Sequence, residues 1–362
     1  MIVLLVLAGF LVAALAPLLF AWLKERAGWV LAAYPATVFL YLQLQAGRVT
    51  DGGSVKQAYG LLPSMGISLS FVLDGLSLLF GLLISGIGTL VVIYAGGYLK
   101  GHPQQGRFFA FLIMFMSAML GVVLADDLIA LFLFWELTSI SSYLLIGFHH
   151  AEENSRDAAL QAMLVTGFGG LALMAGLLLL AAAAGTFEMS AIRQQGDLIR
   201  QHALYVPIFL LIALGAFTKS AQFPFHFWLP NAMAAPTPVS AFLHSATMVK
   251  AGVDLLARLD VVLGSTPLWT WTVGLVGLAT MTLGAVRAYS KGESSTMPLS
   301  AFDDYPTALE YMTRLGRGNL VQHVCSWHWI LYTIIDHLGQ YGRGAPADVL
   351  LKKPWEAPKD LS

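Results

Sequence analysis

Residues 203–233 read ALYVPIFLLIALGAFTKSAQFPFHFWLPNAM, an apolar run with Lys219 near its middle and Pro224 five residues further on. A bilayer-spanning helix needs about 20 mostly apolar residues, and this run exceeds that length. Proline removes a backbone hydrogen bond and clashes with the preceding turn, so the reading predicts a helix broken at Pro224. Broken helices at bilayer depth are tolerated where they line a polar cavity. A lysine beside freed carbonyls, with burial opposing its charge, can take up and release a proton. Lys219 is too central to reach either interface with its ammonium.

The rest of the chain agrees with a membrane setting. Hydrophobic residues make up 57% of the 362 residues and charged residues 11%, where soluble domains carry roughly 25% charged residues. Mean hydropathy is +0.71. So few charges cannot cover a water-soluble surface, which excludes a soluble enzyme. Net charge is −1, so no nucleic-acid footprint is expected. The single cysteine, Cys325, excludes an internal disulfide framework and multi-thiolate metal centres.

By the length criterion the spans fall at 1–23, 29–46, 71–99, 108–125, 127–148, 158–184, 203–233, 238–258 and 267–287. The expected fold is an all-α polytopic membrane protein of about nine helices, one of them discontinuous. No positive residue precedes Lys24, so the first span reads as a retained helix rather than a signal peptide. With the N-terminus outside, the cytoplasmic loops hold Lys24, Arg26, Lys100, Arg107, Arg156, Arg287 and Lys291. The external loops then hold Arg48, Lys56, Arg193, Arg200 and Arg258. The denser positive charge falls on the cytoplasmic side, as expected for a multi-pass protein of a prokaryotic plasma membrane. Composition shifts near residue 288 to a polar tail. Within it, 320–338 reads as an interfacial amphipathic helix carrying Trp327, Trp329 and Tyr332. His323, Cys325 and His328 there are too loosely spaced to argue for a metal site.

Ionisable residues at membrane depth cost several kcal/mol and mark ion or proton pathways. Glu136, inside Leu133-Phe134-Trp135-Glu136-Leu137-Thr138-Ser139, is one. Lys219, His244 and Lys250 are the others. His244 and Lys250 lie six residues apart, roughly 240° around a helix, so they do not share a face. Lys250 has Asp254 four residues on, and an internal ion pair is the plain alternative to a transport role. His226 and Asp74 are weaker candidates, while Asp126 and Asp127 read as a solvent-facing turn. A Glu, a Lys, a His and a second Lys on successive helices form a string in which each charge biases the next group's proton affinity.

The stretches Phe134–Ser139 and Lys219-Ser220-Ala221-Gln222-Phe223-Pro224-Phe225-His226-Phe227-Trp228-Leu229-Pro230 resemble the antiporter-like subunits shared by respiratory complex I and Mrp-type cation/proton antiporters. The likeness continues through Asn231–Ser240 and through His244-Ser245-Ala246-Thr247-Met248-Val249-Lys250-Ala251-Gly252. Asp74-Gly75-Leu76-Ser77-Leu78-Leu79-Phe80 also matches. The resemblance runs from about residue 1 to 287 and is strongest to the N-terminal portion of the Mrp antiporter's A-type polypeptide. Lys250 favours that polypeptide over its complex I relatives, where an uncharged residue is expected.

The resemblance implies the following roles. Glu136 is the carboxylate at the helix-pair entrance. Lys219 is the protonatable lysine at the helix break, and Pro224 the hinge. His244 is the switch between half-channels, and Lys250 passes the proton along a central polar axis. It implies two inverted repeats of five helices, of which the first would be 108–258, after N-terminal helices 1–107 and before a further helix at 259–287. A second repeat is not found in this sequence, residues 288–362 do not match the family, and Asp254 stands where an aromatic is expected. The implied partners are other antiporter-complex membrane subunits, the lipid bilayer, protons and a monovalent cation such as sodium, with no cofactor or metal. Two other functions stay open: a proton-pumping subunit of a quinone- or hydrogenase-linked redox complex, and a non-transporting membrane scaffold.

Overall fold

The structure is a computed structural model that describes residues 1–50, 53–62 and 67–290. The tail after 290, with the expected interfacial helix and His323, Cys325 and His328, lies outside the described residues. Residues Met1–Val276 form one compact unit, and a second begins at Gly277.

The first unit opens with α1 (Ile2–Leu23) and α2 (Ala27–Thr50), joined by one 3-10 turn at Lys24–Arg26. An antiparallel hairpin follows, β1 (Val55–Leu62) and β2 (Ile67–Leu73), with Val55 opposite Leu73 and a register shift between Gly60 and Leu62. This hairpin departs from the all-helical expectation. The span expected from residue 71 starts as strand, and its helix, α3 (Gly75–Tyr98), begins only after Asp74. The cause is local: Asp74 accepts from the Ser77 amide at 2.9 Å while Ser77 Oγ accepts from the Asp74 amide at 2.7 Å. That reciprocal cap satisfies donors that would otherwise be orphaned at the helix start.

α4 (Gln105–Leu124) and α5 (Leu128–Ile146) follow. α4 is buried on nearly every side between α1, α3 and α5, as befits a helix that is apolar all round. α6 (Glu153–Ala184) is the longest helix and packs along α9 (Tyr205–Lys219). Between them lie the short α7 (Met189–Ile192) and α8 (Gly196–Gln201). Large apolar side chains remain exposed along α1 (Leu4, Leu11, Leu18) and α6 (Leu164, Phe168, Leu171). Among the described residues, five helical stretches are long and apolar enough to cross a membrane, with α1 and α2 counted as one stretch.

Asp126 and Asp127 do not face water. They are 1% and 0% exposed and tie the hairpin to the helix ends. The Asp127 carboxylate accepts from the amides of Ile129 at 2.8 Å and Ala130 at 3.0 Å, capping α5. Asp126 accepts from the Ser190 amide and hydroxyl, both at 2.9 Å, and pairs with Lys56 at 2.8 Å. Lys56 also pairs with Glu188 at 3.1 Å. Burial alone would lower the Lys56 amine, but Asp126 and Glu188 outweigh it and hold the group above its ordinary value. Burial likewise works to raise the Asp74 carboxyl, yet the Ser77 donors and the cations Arg258 and Arg193 bring it below its ordinary value.

These two shifts set a pH window for the hairpin end. A raised Lys56 stabilises fully below its unfolded value of about 10.4, and that contribution is lost as pH climbs through the folded value. A lowered Asp74 stabilises above about 3.9 and is lost as pH falls through its folded value. Hydrogen exchange of the amides of 67–73 and 187–190 is therefore expected to stay slow through neutral and mildly alkaline pH and to quicken at both extremes. In Lys56→Ala the alkaline step should disappear; persistence of that step would show that Lys56 does not hold the hairpin.

Candidate functional site

The run 203–233 is not one helix. α9 stops at Lys219, five residues before Pro224, and the chain then passes through Ser220–Pro224 into a 3-10 turn at Phe225–Phe227. Two short elements follow, α10 (Trp228–Asn231) and a 3-10 turn at Ala232–Ala234. The interruption thus lies at Lys219 and Ser220 rather than at the proline. Trp228 makes it tolerable: its indole Nε1 donates to the Thr218 carbonyl at 3.0 Å, so a carbonyl freed at the helix end is satisfied inside the core.

Lys219 is fully buried where α9 ends. Its Nζ donates to the Trp135 carbonyl at 3.0 Å and to Ser139 Oγ at 2.7 Å, both on α5. The same ammonium lies 5.1 Å from the centre of the Trp135 ring, a cation–π contact in a dry setting. Glu136 follows Trp135 on α5 and is half-buried. Among the described residues its carboxylate forms no ion pair within 4.0 Å of Lys219, yet the two charges interact electrostatically. Among the described residues Glu136 Oε1 has no hydrogen-bond partner. It points at Gly170 of α6, where an added Cβ would overlap that oxygen. Glycine at 170 therefore makes room for the carboxylate. Thr138, Ser139, Ser141 and Ser142 form a buried hydroxyl stripe on α5, each donating back to a carbonyl of its own helix.

After α11 (Thr237–Val239), residues Ser240–Thr247 form a π-helix that leads into α12 (Met248–Leu263). His244 sits on that wide turn, 2% exposed, edge-on to Trp228 with ring centres 6.2 Å apart. Trp228 thus contacts both the α9 end and His244. π-turns gather at functional sites because the extra residue re-aims a side chain, and no sequence pattern announces one. His226, in the turn after Pro224, stacks on Phe223 at 6.1 Å.

Lys250 is partly buried on α12 and does not pair with Asp254. Asp254 instead pairs with Arg258 at 3.4 Å, both almost fully buried. Arg258 does not lie in an external loop, as its charge suggested. α12 runs on to Leu263, and Arg258 is 2% exposed, donating to the Val123 carbonyl at the end of α4. Its Nη2 donates both to that carbonyl and to the Asp254 carboxylate. Asp74 is not an isolated interfacial acid either: it pairs with Arg193 at 3.1 Å and senses Arg258.

The far end of α6 carries a groove of about 520 Å³ lined by Asn154, Asp157, Ala158, Gln161, Asn231 and Ala234. The Asn231 amide donates to Gln161 Oε1 at 2.7 Å across it, joining the interrupted segment to α6. The structure thus brings Glu136, Lys219 and the α5 hydroxyls together, sets His244 against Trp228, and gives Lys250 no ion pair among the described residues.

Residues 125–293 match the family described as NADH:quinone oxidoreductase/Mrp antiporter, transmembrane, and residues 62–109 match the complex I chain 5 N-terminus. The A1 polypeptide of the Na(+)/H(+) antiporter of Staphylococcus aureus is 42% identical over 88% of this chain and 40% of its own length. The A polypeptide of the Na(+)/H(+) antiporter of Alkalihalophilus pseudofirmus is 44% identical over 86% of this chain and 39% of its own. The chain therefore spans about 40% of the length of these curated relatives. Among solved structures, a chain of the Mrp complex from a Dietzia species aligns with a TM-score of 0.73 and 38% identity, covering 79% of this chain and 31% of that one. A chain of an archaeal membrane-bound sulfane sulfur reductase has the same fold, with a TM-score of 0.66 and 22% identity. This chain belongs to the antiporter-like membrane subunits shared by NADH:quinone oxidoreductases and Mrp antiporters, and corresponds to the N-terminal portion of the Mrp A-type polypeptide.

Proposed function

We propose that this chain is a membrane subunit of a multisubunit monovalent cation/proton antiporter and carries protons along Glu136, Lys219, His244 and Lys250. The observation that carries this is Lys219: a fully buried lysine at an interrupted helix, held by one carbonyl and one hydroxyl, with Glu136 nearby but not in contact. An ammonium there is opposed by its dry surroundings and supported by Glu136, so a change in Glu136's distance or charge alters its hold on a proton. In this reading the groove at Gln161 and Asn231, beside the interrupted segment, is where protons enter from one end of the bundle. The discontinuous span, interrupted from Lys219 onward, the count of about nine spans, and an N-terminus outside a cell membrane belong to the same reading. So do sodium as the cation and other antiporter polypeptides as partners. Transport is secondary, with no covalent chemistry.

Glu136→Ala in the assembled complex is expected to slow sodium-driven proton movement in everted vesicles by about ten-fold or more, with the protein's levels unchanged. Unchanged flux would remove Glu136 from the pathway. If redox subunits copurify with the native chain, the redox-pump alternative takes the place of antiport.

A further inference from the structure

α12 carries Lys250, Asp254 and Arg258 at four-residue steps, so three ionisable side chains follow one another along one face. At 1.5 Å per residue, Arg258 stands about 12 Å along the helix from Lys250. Half of a hydrocarbon core is about 15 Å thick. The level of Lys250 is fixed by its neighbour, since Ser220 Oγ, next to Lys219, donates to the Val249 carbonyl at 2.7 Å. The direction is fixed by Arg258, which reaches Val123 at the hairpin end of α4. The ladder therefore leads from the level of the buried lysine to the hairpin end.

Asp254 has one oxygen on Arg258 and a second, Oδ2, buried with no hydrogen-bond partner among the described residues. Lys250, one turn away, has no hydrogen bond or ion pair among the described residues. Helical side chains lean toward the N-terminus, so Asp254 leans toward Lys250. Arg258 does not depend on Asp254 to stay in place. Val123 lies in the last turn of α4, whose carbonyls are orphaned and carry the negative end of the helix dipole. The carboxylate can turn to Lys250 while the guanidinium keeps its partner. Arginine does not release a proton, so a proton moving here must travel on carboxylates. The charged groups acting on Asp254 are Arg258 on its own helix and Asp74 from the start of α3, while Lys250 lies one turn nearer the start of α12. Asp74 in turn holds Arg193, whose side chain is 39% exposed.

We propose that Asp254 is the proton acceptor of Lys250 and opens an outlet from this repeat to the hairpin end. The Lys250 N–H bond breaks as an Asp254 O–H bond forms. That proton then leaves past Asp74 into water, restoring the Asp254 carboxylate beside Arg258. Arg258 and Arg193 are fixed cations that position the two acids. Asp74, held ionised by its donors, attracts the proton without retaining it. The outlet rests on the antiport reading above.

Replacing a buried ion pair by apolar residues of similar size is often neutral for folding. The test is therefore Asp254→Leu with Arg258→Met, in everted vesicles holding the assembled complex, with sodium-driven proton movement read by a pH-sensitive dye. The double variant is expected to assemble normally and lose flux at least ten-fold, whereas Asp254→Glu keeps half or more. Native flux in the double variant overturns the outlet. If the double variant does not assemble, Asp254→Asn decides: ten-fold loss there with retention in Asp254→Glu upholds the outlet, and equal flux in the two overturns it. Lys219→Ala separates the two levels. Native flux in Lys219→Ala removes the antiport reading itself. Loss in Lys219→Ala with native flux in the Asp254 variants removes only the outlet.

Discussion

Replacing Lys219 with alanine is expected to abolish cation-coupled proton flux while the protein remains inserted and assembled. A positioned proton-transfer group contributes about 10²- to 10⁴-fold, so flux should fall by at least about 100-fold. The fold tolerates the change for identifiable reasons. The Trp135 carbonyl still accepts from Thr138 Oγ1 at 2.7 Å, and Ser139 Oγ can still donate to that carbonyl. No buried carbonyl is orphaned. Truncating a long buried side chain leaves a cavity costing about 2–5 kcal/mol, partly offset because a buried charge disappears with it. The amount of this protein in the purified complex checks the fold, and vesicle acidification checks the flux. Native flux in a normally assembled Lys219→Ala complex would end the lysine's role.

The second large effect is expected at Gly252, where α12 crosses α9. A Cβ built there would overlap the Ala216 carbonyl oxygen and Ser220 Oγ, and the first of these is backbone that cannot rotate away. Small residues let membrane helices approach this closely. Gly252→Val should therefore force α12 away from α9 at an overpacking cost of about 1–3 kcal/mol or more. It should also break the bond from Ser220 Oγ to the Val249 carbonyl. Because Lys219 and Lys250 flank that bond, flux should fall further than stability alone explains. Gly274→Ala is the control, since a Cβ there meets nothing within 4 Å. It should leave both thermal stability and flux close to native. A Gly252→Val complex as stable and active as Gly274→Ala would contradict the close crossing.

The buried lysine was legible because a bilayer penalises charge. Glu136, Lys219, His244 and Lys250 stand out of apolar runs, with an ion pair to Asp254 as the plain alternative for Lys250. The same rule misplaced Arg258. A span closed at residue 258 by length puts Arg258 at a loop edge, whereas α12 continues to Leu263 and buries it against Val123. The available signal was the four-residue spacing of Lys250, Asp254 and Arg258, which favours partners on one helix face. That spacing names two pairings for Asp254 and does not choose between them. The choice of Arg258 depends on the α4 terminus, a contact between elements far apart in sequence. Asp126 and Asp127 were misread for a related reason. A short acidic turn looks solvated, and only the hairpin folded over it reveals the burial. The break at Lys219 preceded the expected one at Pro224 because Trp228 supplies a donor to the α9 end, again a tertiary effect. The π-turn holding His244 has no sequence signature at all.

The central claim is that the Lys219 ammonium gains and loses a proton during transport. The most direct measurement is solid-state nitrogen NMR of the assembled complex in lipid with ¹⁵N-lysine, the Lys219 signal assigned by its absence in Lys219→Ala. Reversing a sodium gradient is predicted to move that signal between the ammonium and amine positions. An ammonium signal that stays fixed through every gradient, while protons still cross the membrane, would contradict the account.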